Sequence, residues 1–212
     1  MKPIIILFCF FTQITLSAQE FVIPKDYVLL EEKTGDLDKD GVPEKVGVYN
    51  TTDTTEDGIT REIFVLKQKD SKWTVWKRSV NAVLKSEQGG MMGDPFQEID
   101  IKNGLLIISV AGGSSWKWSH HDKYRFQHNE FELIGYSSHA GKPCEYWTTI
   151  DFNLSTGKLL YQKEFEDCEK DQEIYKREEE VMYRKGIKLN LGNRNLKDIK
   201  IVFPKYKEEL YL

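Results

Sequence analysis

An Asn-Gly pair, residues 103 and 104, stands between two apolar runs in QEIDIKNGLLIISVAGG. This dipeptide suits a type I′ turn, whose two central residues both need positive φ, and such a turn joins antiparallel strands. The pattern predicts a hairpin over about Phe96–Val110. A lone hairpin is at best marginally stable in water, so the rest of the chain must supply more sheet.

It does so by the same period of two. Val46 and Val48, then Ile63 and Val65, then Trp73 and Val75 alternate with polar residues, each run bounded by Asn, Asp, Gly or Ser. Downstream, SSWKWSHHDKYRFQHNEFELIGYSS gives a long alternating strand, a turn at His128-Asn129 and a return strand. EYWTTIDFNLSTGKLLYQKEF adds another pair turned at Ser155-Thr156-Gly157, and the tail from Ile187 carries two short strands. The segment after Pro24 is expected to make a short helical turn, with Tyr27, Leu29 and Leu30 seeking a core. Residues 169–186, EKDQEIYKREEEVMYRKG, admit two readings. Ile174, Glu178, Val181 and Met182 fit one helical face, whereas Val181, Tyr183 and Lys185 fit a strand. The expected fold is therefore mainly β, an antiparallel sandwich or open barrel of about ten strands with little helix.

The N-terminus reads as an export signal. Lys2 precedes an apolar run from Ile4 to Phe11, and small residues Ser17 and Ala18 precede the return to polar sequence. The run is shorter than the roughly 20 residues a membrane-spanning helix needs. Residues 1–18 are expected to be removed, leaving a single β-rich domain over 19–212 with no transmembrane anchor, in the periplasm, at the cell surface or in the medium. Cleavage removes Cys9 and leaves Cys144 and Cys168, which in an exported chain favours one disulfide, with two separate buried thiols as the alternative. It also removes Lys2, taking the formal charge from −4 to −5. That acidity, without any long basic stripe, argues against nucleic acid as a partner.

The chemistry-bearing stretch is GDLDKDGVPEK, residues 35–45. Asp36, Asp38 and Asp40 stand at alternate positions, Gly41 follows, and Glu44 lies eight residues beyond Asp36. Calcium takes six to eight hard oxygen ligands, and a D-x-D-x-D-G loop supplies them from its first, third and fifth positions with Gly for the turn. The Val42 carbonyl is the expected next ligand, and Glu44 follows directly or through water. Gly47 stands where an EF-hand places its bidentate Glu, and the sequence that follows reads as strand.

On these residues the loop resembles those of FG-GAP and related VCBS-type repeats, the calcium loops of integrin-type β-propeller blades. The likeness spans about residues 35–78 and occurs once, so it implies a calcium loop leading into strands rather than a propeller. The whole chain resembles small exported β-rich proteins of Bacteroides-type bacteria.

A second candidate surface lies in GGSSWKWSHHDKYRF, where Trp116, Trp118, Tyr124 and Phe126 recur at spacing two. Exposed, the row would stack on sugar rings or a peptide; buried, it is core. His120 and His121 belong to this candidate ligand surface but point to opposite faces of a regular strand. Ser114 and Ser115 follow two glycines without completing G-x-S-x-G, and no phosphate-loop or dinucleotide motif occurs. The sequence thus favours an exported calcium-binding module of the cell envelope, with an envelope protein or glycan as partner. The competing expectation is an envelope hydrolase of glycan or peptide, with its cleft at Trp116–Asp122.

Overall fold

The computed structural model describes residues 20–170, 173–195 and 199–212. The export signal at 1–18 lies outside the described residues. Four strands, β1 (Val28–Gly35), β2 (Glu44–Thr55), β3 (Gly58–Lys69) and β4 (Lys72–Ser79), form one antiparallel sheet in sequence order. A second sheet runs in reverse order from β11 to β5. It holds β5 (Phe96–Lys102), β6 (Leu105–Gly113), β7 (Lys117–Gln127), β8 (Glu130–Lys142), β9 (Tyr146–Asn153), β10 (Lys158–Asp167) and β11 (Glu173–Tyr183). The tail adds a two-stranded piece, β12 (Lys200–Val202) with β13 (Glu209–Tyr211). No sheet among the described residues closes into a barrel, and the antiparallel, mainly β expectation holds.

Turn chemistry explains much of the meander. Asn103 and Gly104 have φ of 56° and 75°, as a type I′ turn requires, and β5 and β6 pair on either side. His128-Asn129 and Asp70-Ser71 repeat the device, with both residues at positive φ. After Pro24 the chain makes a turn, with the Tyr27 amide donating to the Pro24 carbonyl, and enters β1 without a helix.

The two large sheets share one apolar cluster. Val46, Val48, Ile63 and Val65 meet Ile99, Leu106, Ile108, Tyr124, Phe131 and Phe152 across it, and Leu191, Phe203 and Leu210 of the tail close one side. β3 is buried on both faces. Its other face sends Phe64 and Leu66 into a small cluster with Tyr49, covered by Phe21, Tyr27 and Trp73. At one corner β1 and β5 meet through a side chain, the Ile99 amide donating to Glu31 Oε2 at 2.7 Å.

Residues 173–183 are strand, pairing with β10 from Lys158–Tyr183 to Asp167–Glu173. The helical alternative loses for a physical reason. Glu180 is a buried inner-face residue whose carboxylate accepts the amides of Lys205 and Tyr206, so an acid that looks solvent-facing in sequence anchors the tail instead. Cys144 and Cys168 are bonded, with Cα atoms 4.9 Å apart and a sequence separation of 24. A loop of that size gives about 3 kcal/mol in the chain-entropy account. No helix among the described residues is long and apolar enough to cross a membrane.

Candidate metal centre

The 36–44 loop connects β1 to β2 and is held from below. Leu37 points into the main core, and its amide donates to Glu44 Oε2 at 2.7 Å. Above this anchor the chain winds around Asp36, whose carboxylate accepts the Lys39 amide at 2.6 Å and the Gly41 amide at 3.0 Å. Gly41 sits at φ 86°, a conformation other residues rarely adopt. Asp40 Oδ1 accepts the Val42 amide at 2.8 Å, which places Val42 at the exposed tip.

This winding brings the three aspartates together. Ligand oxygens of Asp36, Asp38 and Asp40 lie within 4.8 Å of one another. That is close to twice a calcium–oxygen bond of about 2.4 Å, so one ion can touch all three. Glu44, 0% exposed, lies at the base of the loop beside them. Its Oε1 and Asp38 Oδ1 are buried and receive no hydrogen bond, although a buried carboxylate oxygen ordinarily has a partner. Burial pushes the Glu44 carboxyl above the usual range, partly offset by the Leu37 amide.

The sequence reading did not include Lys67. This β3 residue reaches into the cluster, its Nζ bonded to Asp38 Oδ2, 2.8 Å from Asp40 Oδ2 and 3.6 Å from Glu44 Oε1. The same ammonium lies 5.0 Å from the Trp76 ring centroid. Hydrogen bonds to Asp38 and Asp40 hold Lys67 above the ordinary lysine range, and its bond draws Asp40 below the carboxylate range. One ammonium faces four carboxylates, leaving three negative charges uncompensated by it. Register is the signal that would have found it: Glu44 and Lys67 lie one step beyond the pair Lys45–Leu66, on the face that carries Val46 and Val65.

The aromatic row runs from solvent to core. Trp116 is 41% exposed, Trp118 and His120 are half-buried, and Tyr124 is fully buried. His121 is on the other face, its Nδ1 2.8 Å from Ser109 Oγ. The four residues Trp116, Trp118, His120 and His121 therefore do not form one surface. A cleft of about 270 Å³ opens beside Trp116 and Trp118, and Tyr146, which the sequence did not connect with them, forms its other wall. Its lining carboxylate, Glu208, is paired with Lys163 at 2.8 Å.

His120 lies between Trp118 and Tyr136, and burial pulls its imidazole down to about 4 from 6.5. Between those values the unfolded chain holds a proton that the folded chain lacks, so stability rises with pH there and falls as pH drops from about 6.5 toward 4. A His120→Phe variant should lose less stability than the parent between pH 7 and pH 4.5, by on the order of 2 kcal/mol. Urea unfolding at the two pH values measures the difference, and equal losses would contradict the assignment.

Compared with known proteins, the chain matches no family model, no curated protein and no solved structure.

Proposed function

We propose that the chain is an exported β-domain that binds one calcium ion in its 36–44 loop and serves as a binding or structural module of the cell envelope. The carrying observation is the convergence of Asp36, Asp38 and Asp40 above a buried Glu44 oxygen that has no hydrogen-bond donor. A hard divalent cation supplies the missing partner, and oxygen-only donors select calcium over softer metals. The Val42 carbonyl completes the expected set.

The ion's role in this reading is mechanical. The loop joins β1 to β2, and Leu37 ties it to the core, so a bound ion would fix strand entry and the packing beneath it. Export is supported by the Lys2 to Ala18 pattern and by the disulfide. An envelope protein or glycan is the proposed partner.

Thermal unfolding with calcium or with excess chelator tests the ion. Calcium at 100 times its dissociation constant should stabilise the parent by about 2.7 kcal/mol, which raises Tm by roughly 5–10 °C for a domain of this size. Asp38→Ala should abolish that increment. An identical midpoint for the parent in calcium and in chelator would refute the reading.

A further inference from the structure

The inner face of the seven-stranded sheet continues past the core that fills it. Ile150 and Tyr161 belong to that core; two residues further along their strands come Thr148 and Lys163, and two further again Tyr146 and Phe165. Tyr146 pairs with both Lys142 and Phe165, and Phe165 pairs with Lys176, so these four side chains share one register row. Trp116 extends the row from the bend before β7. Ring centroids run Trp116 to Tyr146 at 5.1 Å, Tyr146 to Phe165 at 5.8 Å and Phe165 to Tyr175 at 6.2 Å. None of these four rings belongs to either apolar cluster. Folding of the cores therefore does not account for them.

Three of the four rings, Trp116, Tyr146 and Phe165, have a lysine over them, and each of those lysines is paired with a carboxylate. Lys142 lies 6.0 Å from the Trp116 centroid and 2.5 Å from Glu145; Lys163 lies 3.8 Å from Tyr146 and 2.8 Å from Glu208; Lys176 lies 4.5 Å from Phe165 and 2.6 Å from Glu178. The three pairs sum to zero charge. An anionic ligand would want unpaired cations, and an apolar peptide would not need paired donors and acceptors along three of the rings. A pyranose offers what this row complements: a C–H face that packs on an aromatic ring, and hydroxyls around its edge that both give and take hydrogen bonds.

We propose that the row from Trp116 to Tyr175 is a binding site for a neutral, linear, pyranose-based oligosaccharide, entered at the cleft that Trp116, Trp118 and Tyr146 line. The site names a ligand for the binding-module reading and makes no use of the 36–44 loop, so a failed calcium experiment leaves it standing. The Cys144–Cys168 bridge ties together the chain ends that carry two of the rings, since Tyr146 follows the first cysteine by two residues and Phe165 precedes the second by three.

Isothermal titration and tryptophan fluorescence of the purified chain test this, with cellohexaose, mannohexaose and chitohexaose as neutral probes. Hexagalacturonate and a decaproline peptide serve as the anionic and peptide probes. At least one neutral hexasaccharide should bind, and Trp116→Ala and Tyr146→Ala should each weaken it at least about tenfold, the scale of a central aromatic anchor. Trp116→Tyr should retain most of the affinity. Thermal midpoints of the alanine variants should stay near the parent's, because these rings lie outside both cores. Failure of all three neutral probes, an affinity unmoved by Trp116→Ala, or preference for hexagalacturonate or decaproline would each overturn the proposal.

Discussion

Asp122→Ala should destabilise the fold by about 3–5 kcal/mol, the cost of stranding one partner of a buried ion pair. Asp122 is 3% exposed and Arg194 6%, and the guanidinium grips the carboxylate through Nε to Oδ2 at 2.6 Å and Nη2 to Oδ1 at 3.3 Å. The Tyr124 hydroxyl donates to the same Oδ2 at 3.1 Å; burial and then the Asp122 charge push that phenol far above its ordinary value. Removing the carboxylate leaves Arg194 charged and dry, with no comparable acceptor among the described residues. In a domain of this size the loss corresponds to a fall in Tm of roughly 6–20 °C. The double variant Asp122→Leu/Arg194→Met removes both charges and should recover much of that loss, because the penalty comes from the orphaned cation rather than from a missing attraction. Differential scanning calorimetry of the parent, Asp122→Leu, Arg194→Met and the double variant closes the cycle. A single variant within 1 °C of the parent would show that the pair is solvated.

Lys67→Met should tighten calcium binding by roughly 10- to 100-fold. The parent's ammonium bonds to Asp38 and Asp40, so an entering ion must displace it. Charge-assisted hydrogen bonds of this kind contribute about 1.5–3 kcal/mol, and each 1.4 kcal/mol is a factor of ten in affinity. Without calcium the same variant should be less stable than the parent, since four carboxylates then face one another with no cation among them. The calcium-dependent rise in Tm should consequently be larger in Lys67→Met than in the parent. Trp76 provides a local readout, because displacement of the ammonium 5.0 Å from its ring changes the field on the indole. Equal calcium affinity in parent and variant would show that Lys67 does not compete for the site. Absence of binding in both would instead count against the site itself.

Lys67 also shows where the sequence stopped being legible. The alternation of Val46, Val48, Ile63 and Val65 was enough to identify strands, and Asn103-Gly104 placed a turn whose backbone signs are as expected. The acidic loop and the cysteine pair were equally readable, because both depend on local spacing or on simple parity of count. Lys67 is 23 residues beyond Glu44, and only the register of β2 on β3 makes them neighbours. Arg194 meets Asp122 across 72 residues, through a tail with no strong period of its own. Tyr146 meets Trp116 because the β7–β8 hairpin between them folds it back. In residues 169–186 the difficulty was chemical rather than topological. Inner-face Glu180 imitates the wet side of a helix, and its true partners, the amides of the tail, are not visible as a pattern.

The Cys144–Cys168 bond changes the connectivity of the molecule as well as its stability. It closes a covalent ring that contains all of β9, the Ser155–Gly157 turn and all of β10. A single peptide cut anywhere in that ring opens the backbone without dividing the chain, because both new ends remain tied through the sulfurs. For a chain read as exported, into surroundings where proteases meet loop tips first, two adjacent strands next to the edge strand β11 of the larger sheet are held in one piece by a link that peptide hydrolysis does not touch.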